Sequence, residues 1–133
     1  MPFSLNNPNP PVRFNYENEN GPTGEWVELK IANLDTIKSI KKATTKTKRE
    51  FKDGFTYQYE DVNEDKYEEM LWDKVIVSWK LVDEESNEEI PCNLKNKLLM
   101  MNNCPEFSRF ILKCLETLKA KEAERQEELE KNS

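Results

Sequence analysis

Val12, Phe14 and Tyr16 alternate with Arg13 and Asn15, the two-residue period of a strand that buries one face. Gly21-Pro22-Thr23-Gly24 interrupts the pattern and Trp26-Val27-Glu28-Leu29-Lys30-Ile31 resumes it, so the segment predicts a β-hairpin turning at the Gly/Pro stretch. A lone hairpin is marginal in water, and its apolar face is therefore expected to rest on helices. The period then lengthens. Ile37, Ile40, Thr44 and Phe51 fall roughly on one face of an expected helix, with Asp35 as its cap, Leu34 at the staple position and Gly54, after Asp53, as its stop. Thr44, Thr45 and Thr47 weaken its middle, because β-branched and hydroxyl side chains lower helix propensity. Phe55-Thr56-Tyr57-Gln58-Tyr59 alternates again and fits either a short strand or an extended connector.

Asn63 followed by Glu64 and Asp65 predicts a second helix start, since an Asn cap and early acids both suit the positive helix end. Its apolar stripe is Tyr67, Met70, Leu71, Val75, Ser78, Trp79 and Val82, although Val75-Ile76-Val77 can instead open a strand. The acidic run Asp83 to Glu89 reads as an exposed loop that Ile90-Pro91 ends. Asn93 caps a short helix through Leu94, Leu98, Leu99 and Met101, and Pro105 opens the last one at its preferred first position. Phe107, Phe110, Ile111, Cys114, Leu115 and Leu118 mark the buried side of that helix. Beyond Leu118 the stripe stops while Glu and Lys continue at helical spacings, so the end is a charged helical extension or a disordered tail.

The expected fold is α+β and mainly α-helical, an N-terminal β-hairpin packed on a small helical domain with a long C-terminal helix. Residues 1–11, rich in Asn and Pro, read as a flexible leader, residues 12–118 as one domain and residues 119–133 as the charged extension. An apolar content of 36% against 35% charged residues allows one thin core in 133 residues. No apolar run approaches a membrane span, and the N-terminus lacks the basic start and apolar stretch of a signal peptide, so a cytoplasmic location is expected. Cys92, Cys104 and Cys114 form no C-x-x-C pair, and Cys114 falls on an apolar helical face, as a buried small hydrophobe does.

The formal charge of −6 argues against general nucleic-acid affinity, yet the charge is segregated. Lys38, Lys41, Lys42, Lys46, Lys48, Arg49 and Lys52 form a basic block, and Glu60, Asp61, Glu64, Asp65, Glu68, Glu69 and Asp73 an acidic one. Adjacent blocks of opposite sign commonly pair within a molecule or face water, and the sharper alternative is that one docks a partner. Trp72, beside the Trp79 stripe but off it, is a core-edge residue or an interface anchor.

Catalytic motifs are scarce. The chain contains no histidine, which removes Ser-His-Asp and Cys-His catalysis and every His-containing metal site. Three cysteines cannot supply four thiolates, and three glycines build neither a phosphate loop nor a dinucleotide fingerprint. Paired-carboxylate hydrolysis is open by spacing, but the acids sit on charge-rich surfaces where solvation is the usual fate. Asp61-Val62-Asn63-Glu64-Asp65 opens like a calcium loop, then places Lys66 where the turn glycine belongs and Trp72 where the bidentate Glu belongs. A helix cap explains the same residues. The expectation is a non-enzyme with no catalytic, cofactor-binding or metal residue, no cofactor, and partner-binding residues left unassigned.

Three stretches carry a family likeness: G-E-W-V-E-L-K-I near the start, then the helix running into D-K-V-I-V-S-W-K-L-V-D, then I-P-C-N-L followed by L-L-M-M-N-N-C-P-E-F-S-R-F-I-L. In this order, from Glu25 to Leu118, the chain resembles the tail assembly chaperones of long-tailed bacteriophages and prophages. Asn87 departs from the pattern, standing where a turn glycine is common. The resemblance implies a non-enzymatic protein of the host cytoplasm that coats the aggregation-prone tape-measure protein during tail assembly, often self-associates, and is absent from the virion. Family members also commonly yield a longer frameshifted product. Alternatives are a structural phage component, such as a head–tail connector or tail-completion protein, and a small regulator using Lys38 to Lys52 on nucleic acid.

Overall fold

The computed structural model describes residues 9–131, with the backbone alone for residues 125, 126 and 128–131. Residues 1–8 of the expected leader and residues 132–133 of the extension lie outside the described residues. The architecture is α+β. The elements run β1 (Val12–Asn18), β2 (Gly21–Leu29), α1 (Leu34–Thr44), β3 (Thr45–Lys52), β4 (Phe55–Val62), α2 (Glu64–Val75), β5 (Ile76–Lys80), α3 (Leu94–Asn103) and α4 (Pro105–Lys131).

Strands β1, β2 and β5 form an antiparallel sheet with β2 in the middle. The period of two sorts its side chains. On one face Phe14 is opposite Val27, which is opposite Trp79; on the other Arg13, Glu28 and Ser78 line up. The apolar face carries the core, where Val27, Leu29 and Ile76 meet Val75, Trp79, Leu81, Phe107, Ile111 and Cys114. Each large side chain so buried stabilises the fold by about 1.5–3 kcal/mol relative to exposure. The polar face is tied by Arg13, which reaches Glu28 at 2.7 Å and lies 3.7 Å over the Trp26 ring. That contact holds the Glu28 carboxyl below its ordinary value.

The first hairpin turns earlier than expected. Asn18 pairs with Gly21, so the chain reverses at Glu19-Asn20 and Gly21-Pro22-Thr23-Gly24 belongs to β2. Asn18 Oδ1 accepts from the Asn20 N–H at 2.8 Å, which builds the turn from side-chain chemistry. Pro22 is tolerated because β5 pairs with β2 only from Trp26 onward, leaving one side of that stretch open.

A larger departure follows α1. The expected helix to Gly54 ends at Thr44, and residues 45–52 are a strand. Asn33, rather than Asp35, is the cap, its Oδ1 accepting from the Thr36 N–H at 2.9 Å. The physical reason lies in Thr45-Lys46-Thr47-Lys48, which alternates and suits a strand, and in Asp53-Gly54, with φ of 51° and 84°. Two successive residues of positive φ make the tight turn whose twist matches a hairpin. Phe51, expected on a buried helix face, is 73% exposed on this hairpin. Strands β3 and β4 pair without a bulge from Thr45 opposite Val62 to Lys52 opposite Phe55. They form an arm inserted between α1 and α2, closed at its base where the Asn63 N–H donates to the Thr44 carbonyl at 2.8 Å. Gly54→Val is expected to cost the arm about 1–2 kcal/mol through its left-handed position. Cross-strand contacts by NMR should weaken at the tip while the thermal midpoint of the core stays put; a core that melts with the arm would refute their independence.

Asn63 caps α2 as expected, its Oδ1 accepting from the Lys66 N–H at 3.2 Å. The helix stops at Val75, and the stripe through Trp79 is completed by β5 rather than by more helix. Asn93 and Pro105 start α3 and α4 where expected. Helix α4 buries Phe107, Ile111, Cys114 and Leu118 at three- and four-residue steps, then continues to Lys131. At 27 residues it is about 40 Å long.

Candidate partner-binding site

The end of the first hairpin, the acidic loop and the start of α4 enclose a groove of about 670 Å³. Its floor is Leu81, Ile90, Met100, Phe107 and Phe110, and its rim carries Glu25, Asp83, Glu84 and Glu106. Sequence order brings these residues from four places, and each is held locally. Trp79 Nε1–H donates to the Ile90 carbonyl at 2.8 Å and its ring meets Phe107 edge-on at 5.7 Å, so β5 ties the loop to α4. The acidic loop folds back on itself: Val82 bridges to Glu89, and Asn87 takes φ of 59°. This is the left-handed conformation that glycine adopts freely and Asn tolerates, so the departure at Asn87 keeps the turn. Glu25 accepts from the Val82 N–H at 3.0 Å, joining β2 to the loop.

One contact crosses the mouth. The Tyr16 hydroxyl donates to Glu106 Oε1, and the Tyr16 ring packs edge-on against Phe110 at 5.1 Å. The Glu106 carboxylate, then partial burial, raise the Tyr16 ionisation above its ordinary 10.0. The bond needs the protonated phenol, so its contribution is complete below pH 10 and is lost as pH rises through the raised value. Tyr16→Phe is expected to remove one late-titrating tyrosine from an ultraviolet titration, at a stability cost of about 0.5 kcal/mol. Loss instead of a tyrosine that titrates at its ordinary value would show that the two side chains do not meet in solution.

Of the three cysteines, Cys104 alone lines the groove. Burial raises the Cys92 thiol and pushes Cys114 up to about 11, which keeps both protonated near neutrality. Among the described residues no cluster of three or more His, Cys, Asp or Glu side chains could hold a metal ion. No described helix is long and apolar enough to cross a membrane. What the groove can do is take apolar side chains from another chain and meet flanking cations at its rim.

The charge blocks are placed differently from one another. Lys38, Lys41 and Lys42 lie on α1, while Lys46, Lys48, Arg49 and Lys52 lie on β3. Part of the neutralisation is internal. Lys48 contacts Asp61 at 2.7 Å, which raises the lysine, and Tyr57 donates to Glu50 at 2.7 Å. A second cavity, about 260 Å³, lies at the base of the arm between Lys46, Lys48, Lys66 and Asp61. The register puts Phe55, Tyr57 and Tyr59 on the same face of the arm as Lys46, Lys48 and Lys52, an aromatic–basic set that sequence reading assigned to separate elements. Glu50 and Asp61 share that face, and their carboxylates take up Tyr57 and Lys48. Trp72 is half-buried against the core and donates to Glu68 at 3.4 Å, which makes it a core-edge residue.

Comparison with protein-family models, curated proteins and solved structures finds no match to this chain.

Proposed function

We propose that this chain is a non-enzymatic phage tail assembly chaperone that acts in the host cytoplasm and holds an amphipathic segment of the tape-measure protein. The observation that supports it is the open groove, whose apolar floor and acidic rim suit a helix bearing apolar residues flanked by Lys or Arg. The likeness of the W-V-E-L-K-I, V-S-W-K-L-V-D and C-P-E-F-S-R-F segments to that family supplies the identity of the client. Stable capture by such a groove depends on a few well-seated side chains rather than on total area.

Co-expression with the tape-measure protein of the same gene cluster tests the reading. The expected result is co-purification and a gain in client solubility, both reduced by Glu84→Lys, an exposed rim position whose change leaves the buried core intact. A client that stays insoluble and never co-purifies would sink the proposal. The exposed arm favours one rival, a structural virion component that interlocks with neighbours. Mass spectrometry of purified particles separates the two, because a chaperone is expected to be missing from them.

A further inference from the structure

The β3–β4 arm has two free edges among the described residues, and they differ in chemistry. Asn63 and Thr44 are bonded at the base, so the bonded pairs recur every second position toward the tip. The main-chain groups of Phe55, Tyr57, Tyr59 and Asp61 therefore turn inward to β3, and those of Thr56, Gln58 and Glu60 point out from the arm. The β3 strand carries Lys46, Lys48, Arg49, Glu50 and Lys52, charges of the kind that blunt an edge against pairing. From Phe55 to Tyr59 β4 carries none, and Phe, Thr, Tyr and Tyr among those five residues favour strand. Phe55 is 73% exposed, and Tyr57 and Tyr59 are 42% and 41% exposed.

We propose that β4 is a self-pairing edge. The β4 strands of two copies align antiparallel about a twofold axis at Tyr57, joining two arms into a four-stranded sheet ordered β3-β4-β4-β3. In this register Tyr57 faces its own counterpart, Phe55 faces Tyr59 of the second copy, and Thr56 and Gln58 exchange main-chain hydrogen bonds. The three aromatic residues of each arm share one face, so pairing sets six rings together. Beyond the paired residues Asp61 of each copy falls level with Asp53 in the turn of the other arm, so the paired segment is the uncharged stretch from Phe55 to Tyr59. Charge disfavours pairing through β3. Pairing β3 with β3 about Arg49 would oppose Arg49 to itself and Lys46 to Lys52, like charges that Lys48 opposite Glu50 only partly offsets. Pairing β3 of one copy with β4 of another leaves an open edge at each end and never closes. The twofold arrangement closes, buries both uncharged edges and leaves the charged β3 edges outward. It involves residues separate from the groove, so it stands whether or not the groove holds a client.

The test uses the full chain alone, without any client. Sedimentation equilibrium across the micromolar range is expected to show a monomer–dimer equilibrium that Tyr57→Lys weakens by at least about tenfold. Near-ultraviolet circular dichroism of the buried Trp79 reports that the variant stays folded, since Tyr57 lies on the arm outside the core. Tyr57→Cys is expected to cross-link into a covalent dimer on mild oxidation, above the background of the unsubstituted chain, whereas Thr47→Cys on the β3 strand does not. A chain that stays monomeric throughout overturns the proposal, as does a dimer indifferent to Tyr57→Lys or one cross-linked better through Thr47→Cys. Association that appears only with added single-stranded nucleic acid also overturns it, and reassigns the aromatic–basic face to that ligand.

Discussion

Phe107→Ala is expected to lower the unfolding free energy by about 3–5 kcal/mol, the usual cost of emptying an aromatic core site. Phe107 is 6% exposed, packs edge-on against Trp79 and also forms part of the groove floor. One substitution therefore removes core volume, an aromatic contact and binding surface together. Against a total stability of about 5–15 kcal/mol this is a large fraction, and the thermal midpoint should fall by roughly 10 °C or more. Phe107→Leu retains much of the volume and is expected to cost less than about 1.5 kcal/mol. Urea denaturation followed by tryptophan fluorescence measures both. A Phe107→Ala variant within 1 kcal/mol of the parent would place this residue outside the core and remove the link between α4 and the sheet.

Lys97→Ala is expected to cost about 2–4 kcal/mol, unusually much for a lysine, because this one is buried. Its side chain is 8% exposed, and the ammonium donates at 3.1 Å both to the Asp73 main-chain carbonyl and to Asp73 Oδ1. That carbonyl is one of the last four of α2, which have no partner within the helix. Lys97 thus caps α2 from α3, and offsets the carboxylate that Asp73 brings to the negative helix end. Asp73→Ala is expected to cost less, about 1–2 kcal/mol, since its carboxylate is 43% exposed and screened by water. The double mutant should show a coupling of at least about 1 kcal/mol. A coupling near zero would mean that the lysine matters only through the packing of its methylenes.

Lys97 was absent from the sequence reading for a definite reason. A lysine between Asn96 and Leu98 on a short helix looks like a solvated charge, and nothing local shows that α2 ends against it. The arm was missed differently, since its signals were present. Asp53-Gly54 between alternating residues is a strong hairpin marker, yet Gly54 also serves as a helix stop, and apolar spacing from Ile40 to Phe51 favoured the longer helix. The same rivalry decided Val75-Ile76-Val77, where β-branched residues end α2 and begin β5. The groove was hardly legible, because Tyr16, Glu25, Ile90 and Phe110 converge only after β1, β2, the acidic loop and α4 have packed. The charge blocks were visible, but their mutual pairing at Lys48 and Asp61 depends on the register of the arm.

Residues acting over three or four positions were sufficient by themselves for the α+β class, the strand period at Val12–Tyr16 and the helix starts at Asn63, Asn93 and Pro105. A capping side chain reaches a main-chain N–H two or three residues on, and a strand period needs only its neighbours, so both act locally. The lack of histidine likewise follows from the chain alone, and the catalytic classes it removes follow from chemistry. Tertiary structure decided where helix gave way to strand, that Lys97 is buried, which apolar residues became a floor and which acids became its rim. Those outcomes depend on which distant surface covers a segment, and covering energies of several side chains outweigh a local preference of a few tenths of a kcal/mol per residue.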